Sequence, residues 1–493
     1  MGTTTRRMVS GHIMRVMTPC HTLSSSREAK LAGIPISQRL AYPWMRLGRL
    51  VRLVVTITKI QVDILVQLIF LARVLPLHSF ISRTNICRNT LHADSNSRLC
   101  VSVRDYYCYK FQMRPGIFNP ILFGKRLFQQ FAVDTYIKIE SSRLDYIWNH
   151  QKEIRADLYQ GLVDSFNAGE SRADAVGKRT VLATSFIGGP RDMRHRCMDA
   201  MALVRKYGKP DVFLTMTCNP NWEEITRELE HDQIPQDRPD LVVRVFRAKL
   251  EELKKQLFEK HMLGKVQAYV YVVEFQKRGL PHAHFLLIMQ GKYKLVCPEQ
   301  YDCIISAELS DKNMYPELYT MVVKHMMHGP CGVLNSQCPC TKDRGSCKNH
   351  YPRPFNAVTM QGKDSYPVYR RRDDGRHAMV RKCQLDNRWV VPYNPYLLRL
   401  FNCHINVEVC SSIKAVKYLF KYIYKGHDRA SVSVNEADNN DIDEIKQYRE
   451  ARWVTPPEAL WRIYGFDLSK NSPHVMQLQL HLPNMHMVSY RGG

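Results

Sequence analysis

The chain has 493 residues, a formal net charge of +25 and 45% hydrophobic residues. This hydrophobic fraction excludes a largely disordered protein, and the length allows two or three domains with buried cores. The positive charge favours a polyanionic partner, because lysine and arginine bind phosphate backbones with release of counterions. The 15 cysteines accompany no cleavable secretory signal, so we expect most thiols to be reduced.

The first hundred residues differ from the rest in composition. They carry 14 Lys and Arg against 3 acidic residues. The apolar stretch 51–77 is interrupted by charges, and its longest uncharged run is about ten residues, whereas a membrane span needs roughly twenty. An Arg-rich, acid-poor start is also typical of a mitochondrial presequence. We expect residues 1–100 to be an atypical, poorly ordered segment to which the sequence assigns no function.

Residues 101–208 are predicted to form a helical region. Leucine, phenylalanine and isoleucine recur there at spacings of three and four residues, with charged residues between them. One helix within this region should begin at Pro190, which suits a first turn, and end at Gly208.

Residues 209–430 are predicted to form an α+β domain. A buried strand is expected after Asp211, and a long amphipathic helix from about Pro239 to His261 leads to the next strands. This alternation predicts a central antiparallel sheet flanked by helices. Residues 431–493 are predicted to be a helical C-terminal segment, in which Trp453 and Trp461 pack in a core.

A β-hairpin with two closely spaced histidines is predicted near the middle of the chain. The run Tyr269–Gln276 is rich in β-branched and aromatic residues, which is typical of a strand. The stretch KRGLP predicts the turn, and His282–Met289 predicts the returning strand. Residues two apart in a strand share one face, so His282 and His284 should project together.

The register of this hairpin decides which residue accompanies the two histidines. If Gln276 pairs with His282, then Glu274 lies opposite His284 on the same face, with Gln276 as the second choice of ligand. Two imidazoles and one carboxylate are able to hold a divalent cation and leave positions for substrate. The simpler alternative is a pair of histidines satisfied by hydrogen bonds on a partly solvated sheet.

A helix with regularly spaced tyrosines is predicted at Ser411–Lys425. Tyr418 and Tyr422 are four residues apart and therefore share one helix face. Lys421 and Lys425 each follow a tyrosine by three positions. A tyrosine has a pKa of about 10, and a lysine one turn away favours phenolate and steadies a phosphate. The alternative is an aromatic core stripe with solvated lysines.

Cysteines are densest in an insertion at about residues 325–350. The candidate zinc ligands are Cys331, Cys338, Cys340 and Cys347, with His325, His328 and His350 nearby. Their spacing departs from the common Cys-x2-Cys pattern of zinc sites. The insertion is therefore interpreted either as a structural Zn²⁺ site or as a loop of free thiols.

Basic residues supply further candidates for contacts with DNA. Lys277 and Arg278 lie in the predicted hairpin turn, close to the histidines. Arg370, Arg371 and Arg372 follow the aromatic stretch YPVY, an arrangement suited to stacking on single-stranded bases combined with backbone contacts. Charge runs are more often solvated surface, which is the competing interpretation for both groups.

Six stretches of the chain together carry a family resemblance: FLTMTCNPNW, VVEFQKRGLPHAHFLL, MVVKHMMHGPCG, YPVYRRRDDG, NPYLLRLFNCHINVEVC and KYLFKYIYKG. From about residue 106 to 484 the chain resembles the Rep region of Helitron transposases, the Helitron helicase-like proteins. The resemblance implies a two-tyrosine HUH endonuclease. In that family, the residues matching His282 and His284 bind a divalent metal, and those matching Tyr418 and Tyr422 are nucleophiles.

The implied reaction is nicking and rejoining of DNA strands in rolling-circle transposition. Mg²⁺ or Mn²⁺ held by His282, His284 and Glu274 would polarise the scissile phosphate, and Tyr418 or Tyr422 would attack it to give a 5′-phosphotyrosine link. The implied partners are transposon ends and target as single-stranded DNA, without a membrane. The implied location is the nucleus, and the Arg-rich N-terminal segment leaves an organellar alternative open.

The chain lacks the phosphate-loop motif G-x-x-x-x-G-K-[ST] and ends at Gly493, whereas complete Helitron proteins continue into a Pif1-type helicase. We therefore expect neither ATPase nor unwinding activity from this chain alone, and transposition would need a separate helicase activity. Two alternatives stay open. One is a catalytically decayed or domesticated DNA-binding protein, and the other is a metallonuclease that uses water as its nucleophile.

Overall fold

The computed structural model describes residues 101–151, 154, 180–276, 279–341, 345–362, 367–410 and 443–476. All of them belong to Leu75–Gly493, the larger of two compact units of the chain. Among these described residues, none of the helices combines the length and apolar character that crossing a membrane requires.

The described residues form the following elements. The helices are α1 (Val103–Lys110), α2 (Arg126–Asn149), α3 (Pro190–Tyr207), α4 (Glu223–Thr226), α5 (Pro239–Phe258), α6 (Pro298–Ile304), α7 (Pro316–His325), α8 (Pro395–Phe401), α9 (Glu444–Ala451) and α10 (Pro456–Ile463). The strands are β1 (Val212–Thr217), β2 (Val266–Phe275), β3 (Pro281–Met289), β4 (Met360–Gln361), β5 (Pro367–Val368), β6 (Ala378–Val380), β7 (Cys383–Leu385), β8 (Ile405–Val409) and β9 (Ser469–Ser472).

A five-stranded sheet lies at the centre of the described unit. Its strands follow the order β8-β1-β3-β2-β9, and each neighbouring pair is antiparallel. Strand β3 is central and buried along its whole length, which explains its nearly continuous apolar sequence. The two histidines of the predicted hairpin therefore lie in the middle of the sheet.

One face of the sheet packs on the amphipathic helix α5. Alternate residues of the strands point to this side, including Leu214 of β1 and Phe285 of β3, and they join Phe246 and Leu250 of α5 in the main core. Each of these four side chains is fully buried, and burial of one such side chain stabilises the fold by about 1.5–3 kcal/mol. The strand residues between these core positions therefore lie on the opposite face of the sheet.

The opposite face of the sheet is apolar at one end and polar at the other. At the apolar end, Phe213 and Leu286 pack against Ala200 and Val204 of α3. Towards the hairpin turn, the same strand positions carry threonine, histidine and glutamate instead: Thr215, Thr217, Glu274, His282 and His284. A change of residue type along one face thus separates packing from a candidate site.

The C-terminal elements pack against the helices that precede the sheet. In α2, Glu140 accepts hydrogen bonds from Tyr136 (2.6 Å) and from Tyr448 of α9 (3.0 Å). Arg452 pairs with this carboxylate and, at 2.7 Å, with Glu458 of α10. Strand β9 adds an edge to the sheet beside β2. The described parts of residues 101–208 and 431–476 thus form one unit with the sheet.

The predicted fold class is confirmed: the protein is α+β, with a central antiparallel sheet flanked by helices and a Cys/His cluster. Helix α3 begins at Pro190 and ends before Gly208, as predicted, and α5 begins at Pro239. Trp461 is buried in the core, but Trp453 is 50% exposed, so the prediction of a core position was wrong for Trp453. Strand β9 was not predicted.

The hairpin register differs from the prediction by two residues. Glu274 pairs with His282, and Phe275 pairs with Pro281. The reason is the turn, which the Gly279 N–H closes by donating to the Gln276 carbonyl at 2.7 Å. Gly279 has a φ of +85°, a conformation that glycine adopts readily. Gln276 therefore lies in the turn and is exposed, which does not favour it as a ligand.

Candidate functional site

The neighbouring strand β1 holds the paired histidines. Thr215 lies opposite His284, and Thr217 lies opposite His282. Each threonine Oγ1 is 2.9 Å from the Nδ1 atom of its histidine. Because the threonines engage Nδ1, Nε2 is the atom that each ring would offer to a metal. Metal-binding histidines are commonly oriented by such a hydrogen bond on the other ring nitrogen.

Glu274 lies on the same face as the two histidines. It is directly opposite His282 and diagonal to His284, and its Oε2 atom is 3.2 Å from Nε2 of His284. Diagonal neighbours on antiparallel strands are within reach of long side chains. The trio therefore forms in spite of the shifted register, since a shift of two residues keeps every side chain on its face.

Burial makes His282 a neutral imidazole at pH 7. Its side chain is 9% exposed. Burial lowers its pKa to about 4, with a further contribution from His284, an opposing effect of Glu274 and a smaller contribution from His404. Metal binding requires a neutral histidine, so no proton has to be displaced from His282 near neutral pH.

His404 is a third histidine beside the site, and the sequence reasoning missed it. Its Nδ1 atom is 2.8 Å from the carbonyl oxygen of His325 at the end of α7, and its own carbonyl accepts from the Thr217 N–H at 2.9 Å. Burial lowers the pKa of His404. The available signal was its position one residue before β8, in the stretch FNCHINVEVC.

Asn406 and Glu408 extend the polar face onto β8. Asn406 pairs with Thr215 across the strands, and its Nδ2 donates to Glu408 Oε1 at 3.0 Å. Its Oδ1 atom is buried and, within the described part of the chain, has no hydrogen-bond partner. An unsatisfied buried acceptor costs roughly 1–3 kcal/mol. Beside the paired histidines, this atom is a place where a bound ligand could donate a hydrogen bond.

The trio consists of two imidazoles and one carboxylate, which are donor types that divalent cations accept. Two imidazoles and one carboxylate leave further coordination positions for phosphate or water oxygens. The parallel rings of His282 and His284 have centroids 6.5 Å apart, and the trio does not belong to the groups of described residues whose ligand atoms all lie within 4.8 Å of one another. The trio is thus an open arrangement rather than a closed cage.

A second candidate metal site is compact and lies in the insertion. His328, Cys331, Cys340 and Cys347 each offer a ligand atom, and these atoms all lie within 4.8 Å of one another. The sulfur atom of Cys338 is 3.4 Å from that of Cys340, yet Cys338 is outside this group. The predicted set of four cysteines is therefore corrected, with His328 in place of Cys338. A His/Cys cluster of this kind is able to bind a metal such as zinc.

The Arg370–Arg372 run does not provide a free basic surface. The Arg371 side chain is 4% exposed, and its Nη1 donates to the carbonyl oxygens of Ala307, Asn387 and Val390 at 2.7–3.0 Å. Arg371 is thus a buried structural residue, which contradicts its predicted contact with DNA.

The two neighbours of Arg371 are partly exposed but engaged in ion pairs. Arg372 pairs with Glu308 through Nε and Nη2, the latter at 2.7 Å. Arg370 lies 3.4 Å from the same carboxylate and 3.6 Å from Asp302. A contact of either arginine with DNA would therefore compete with an existing ion pair.

Six predicted site residues lie outside the described residues: Tyr418, Lys421, Tyr422, Lys425, Lys277 and Arg278. Their roles stay predictions. Strand β8 ends at Val409, shortly before the predicted tyrosine helix at Ser411–Lys425.

These features define a class of protein: an α+β protein whose central antiparallel strands present two histidines and one glutamate. Residues 106–287 match the family model described as the Helitron helicase-like domain at the N-terminus. The match extends into β3 and includes both histidines of the hairpin. It confirms the predicted resemblance to Helitron proteins over residues 106–287, and it indicates a function related to Helitron transposons. A comparison with curated proteins finds no match.

Proposed function

We propose that the protein is a metal-dependent tyrosine endonuclease of the HUH type, which nicks and rejoins single-stranded DNA in rolling-circle transposition. One observation carries the proposal. Within the Helitron-like region, His282 and His284 share one sheet face with Glu274, and their Nδ1 atoms are anchored by Thr217 and Thr215. Metal-binding histidines are commonly oriented by a hydrogen bond on the other ring nitrogen, which supports the proposal.

The nucleophile in this proposal is Tyr418 or Tyr422. The phenolic oxygen loses its proton and attacks phosphorus, and the bond between phosphorus and the 3′ oxygen breaks. The departing oxygen takes up a proton and becomes a free 3′-hydroxyl, while the 5′ phosphate stays on the tyrosine. Lys421 and Lys425 would favour the phenolate by their charge. Because the link conserves the phosphodiester bond energy, a second 3′-hydroxyl is able to reverse the step.

The residues of the sheet face hold and orient the reacting groups. His282, His284 and Glu274 would bind Mg²⁺ or Mn²⁺, which when bound supplies Lewis-acid assistance at the scissile phosphate. Thr215 and Thr217 keep the rings in one orientation, so that both histidines present Nε2. The burial of His282 keeps the imidazole neutral at the pH of the cell.

The proposed partners are transposon ends and target strands as single-stranded DNA, and the proposed location is the nucleus. Lys277 and Arg278, which precede Gly279 in the sequence, are proposed to contact backbone phosphates. The net charge of +25 supports a polyanionic partner in general. Strand separation during transposition is proposed to come from a separate helicase activity.

A covalent-adduct assay tests the proposal. The full-length protein is incubated with a 5′-labelled and a 3′-labelled single-stranded oligonucleotide and Mn²⁺, then resolved under denaturing conditions. We expect the 3′ label to migrate with the protein, because it lies on the fragment whose 5′ phosphate is joined to the tyrosine. Chelation of Mn²⁺ before the incubation should prevent formation of the adduct. The double variant Tyr418→Phe/Tyr422→Phe should form no adduct, and Tyr424→Phe serves as a matched control that should retain it.

Two results would overturn the proposal in different ways. Binding of the oligonucleotide without any adduct or cleavage would identify a DNA-binding protein without catalysis. Cleavage that persists without an adduct in the Tyr418→Phe/Tyr422→Phe variant would identify water as the nucleophile and a metallonuclease mechanism.

A further inference from the structure

The Cys/His cluster has the dimensions of a tetrahedral metal site. Nδ1 of His328 lies 3.8 Å from the sulfur atom of Cys331, and Nε2 of the same ring lies 3.8 Å from the sulfur atom of Cys347. In a tetrahedral zinc site, with bonds of about 2.3 Å to sulfur and about 2.1 Å to nitrogen, ligand atoms are separated by roughly 3.5–3.8 Å. Because a single ring nitrogen binds the ion, one of these two separations matches an edge of such a tetrahedron, and all four ligand atoms lie within 4.8 Å of one another.

The surroundings of the cluster are those of a closed site. Cys331 and Cys347 are 2% and 5% exposed. The Asn349 N–H donates to the sulfur of Cys347 at 3.4 Å, and the Lys348 N–H donates to the Cys340 carbonyl at 2.8 Å. Outer hydrogen bonds of this kind orient metal ligands. With four protein ligands, no position remains for substrate, which is the property of structural zinc sites.

The aromatic neighbours fix the orientation of His328. Its ring stacks on Tyr351, with 4.3 Å between centroids and 13° between planes. Its backbone N–H donates to the Trp389 carbonyl at 2.8 Å. Cys338 lies outside the group of four ligands, although its sulfur atom is 3.4 Å from that of Cys340.

The cluster is joined to the edge of the central sheet by a short pair of extended segments. Met327 pairs with Val390 as an antiparallel bridge, and Tyr393 pairs with Asn406 of β8 in the same way. At the same end of α7, the His325 carbonyl holds His404. A fixed position of the cluster thus fixes the segment that borders β8 and the polar face.

We propose that His328, Cys331, Cys340 and Cys347 bind one structural Zn²⁺ ion, which closes the insertion and fixes it against the segment 389–393. The ion has no part in catalysis. Zinc bound by three thiolates and one imidazole contributes to folding, because the ligands are brought together only in the folded chain.

Metal analysis of the full-length protein, purified with a tag that contains no histidine, tests this proposal. After dialysis against a weak chelator, we expect one zinc per chain. Cys340→Ser and Cys347→Ser should each retain less than about a tenth of it, because a lost thiolate weakens the site severely. Cys338→Ser is the matched control and should retain all of it. His328→Cys should also retain zinc, whereas His328→Ala should not.

Two further measurements separate this site from the sheet face and from a failure to fold. The double variant His282→Ala/His284→Ala should keep its zinc. The wild-type protein loaded with Co²⁺ should show thiolate-to-cobalt charge-transfer bands and the intense d–d bands of tetrahedral cobalt, and this readout does not depend on any variant.

Three outcomes would overturn the zinc proposal. The first is a wild-type protein with well under one zinc per chain and no tetrahedral cobalt spectrum. The second is a Cys338→Ser variant that loses zinc as fully as Cys340→Ser. The third is loss of zinc in the His282→Ala/His284→Ala variant. Each of these outcomes leaves the adduct assay, and hence the proposed nicking activity, unaffected.

Discussion

The two candidate metal sites of this protein are built in opposite ways. At the sheet face, His282, His284 and Glu274 are supplied by regular strands that pack on a large apolar core. In the insertion, the ligands come from turns and extended segments with a small apolar cluster, whose buried members are Cys331, Cys347, Leu385 and Trp389.

The two sites should therefore respond differently to a metal. Strands hold the sheet-face ligands through backbone pairing, so an ion there is free to serve chemistry. The insertion has only a small cluster of buried apolar residues among its described part, so an ion there is expected to serve the fold. Four predictions test this contrast, beginning with the largest expected effect.

Removal of the metal should affect stability at only one of the two sites. Removal of zinc from the Cys/His cluster should lower the free energy of unfolding by several kcal/mol. This loss is smaller than the zinc-binding free energy of zinc-finger peptides, which is about 10–16 kcal/mol. Removal of Mg²⁺ or Mn²⁺ alone should change it by less than about 1 kcal/mol, as for a weakly bound ion. Thermal unfolding with a zinc-selective chelator, compared with dialysis into Mg²⁺-free buffer, measures both. Equal losses would remove the contrast.

Replacement of Arg371 should destabilise the part of the protein next to the insertion. Arg371→Met keeps much of the side-chain volume but leaves three buried carbonyls without their donor. We expect a loss of about 3–5 kcal/mol, the range for breaking a buried charged hydrogen-bond network. Urea unfolding measures it. Arg399→Met, which removes an exposed pair with Glu317, should cost at most about 1 kcal/mol. A small loss for Arg371→Met would contradict its assigned structural role.

Removal of the threonine hydroxyls should weaken the sheet-face site with little change in stability. Thr217→Val and Thr215→Val free the Nδ1 atoms of His282 and His284 from their hydrogen bonds. Loss of such an outer partner lowers metal affinity or activity by about 10–100-fold. The Mn²⁺ concentration needed for half-maximal adduct formation measures the effect, and Thr217→Ser should retain the wild-type value. An unchanged requirement in the valine variants would show that the threonines do not orient the rings.

The stability of the protein should fall as the pH drops below the ordinary histidine pKa of about 6.5. Burial lowers the pKa of His404, so the unfolded chain takes up a proton there that the folded chain does not. The stability that neutral His404 contributes is fully present above pH 6.5 and is lost as the pH falls towards the lowered pKa of His404. One such proton changes the free energy of unfolding by at most about 1.4 kcal/mol per pH unit. In urea titrations at several pH values, His404→Asn should show a shallower slope, whereas an unchanged slope would contradict this assignment.

The amino-acid sequence by itself determined which residues share the candidate active face. The two-residue period of a strand places His282 and His284 on one face. The same period puts Glu274 on that face in both the predicted and the observed register, because the two registers differ by two residues. The α+β class and the bounds of α3 and α5 also followed from local patterns of apolar residues, prolines and glycines, because these patterns act over a few residues of chain.

Contacts between residues distant in the chain were decided only by the tertiary structure. The turn closed at Gly279 set the register, and the pairing of β1 with β3 brought Thr215 and Thr217 to the histidines across more than sixty positions. The ring of His328 packs against Tyr351 and Trp389, and His328 rather than Cys338 belongs to the group of candidate ligands. Such choices depend on which surfaces meet in the folded chain, and residue spacing carries no information about that.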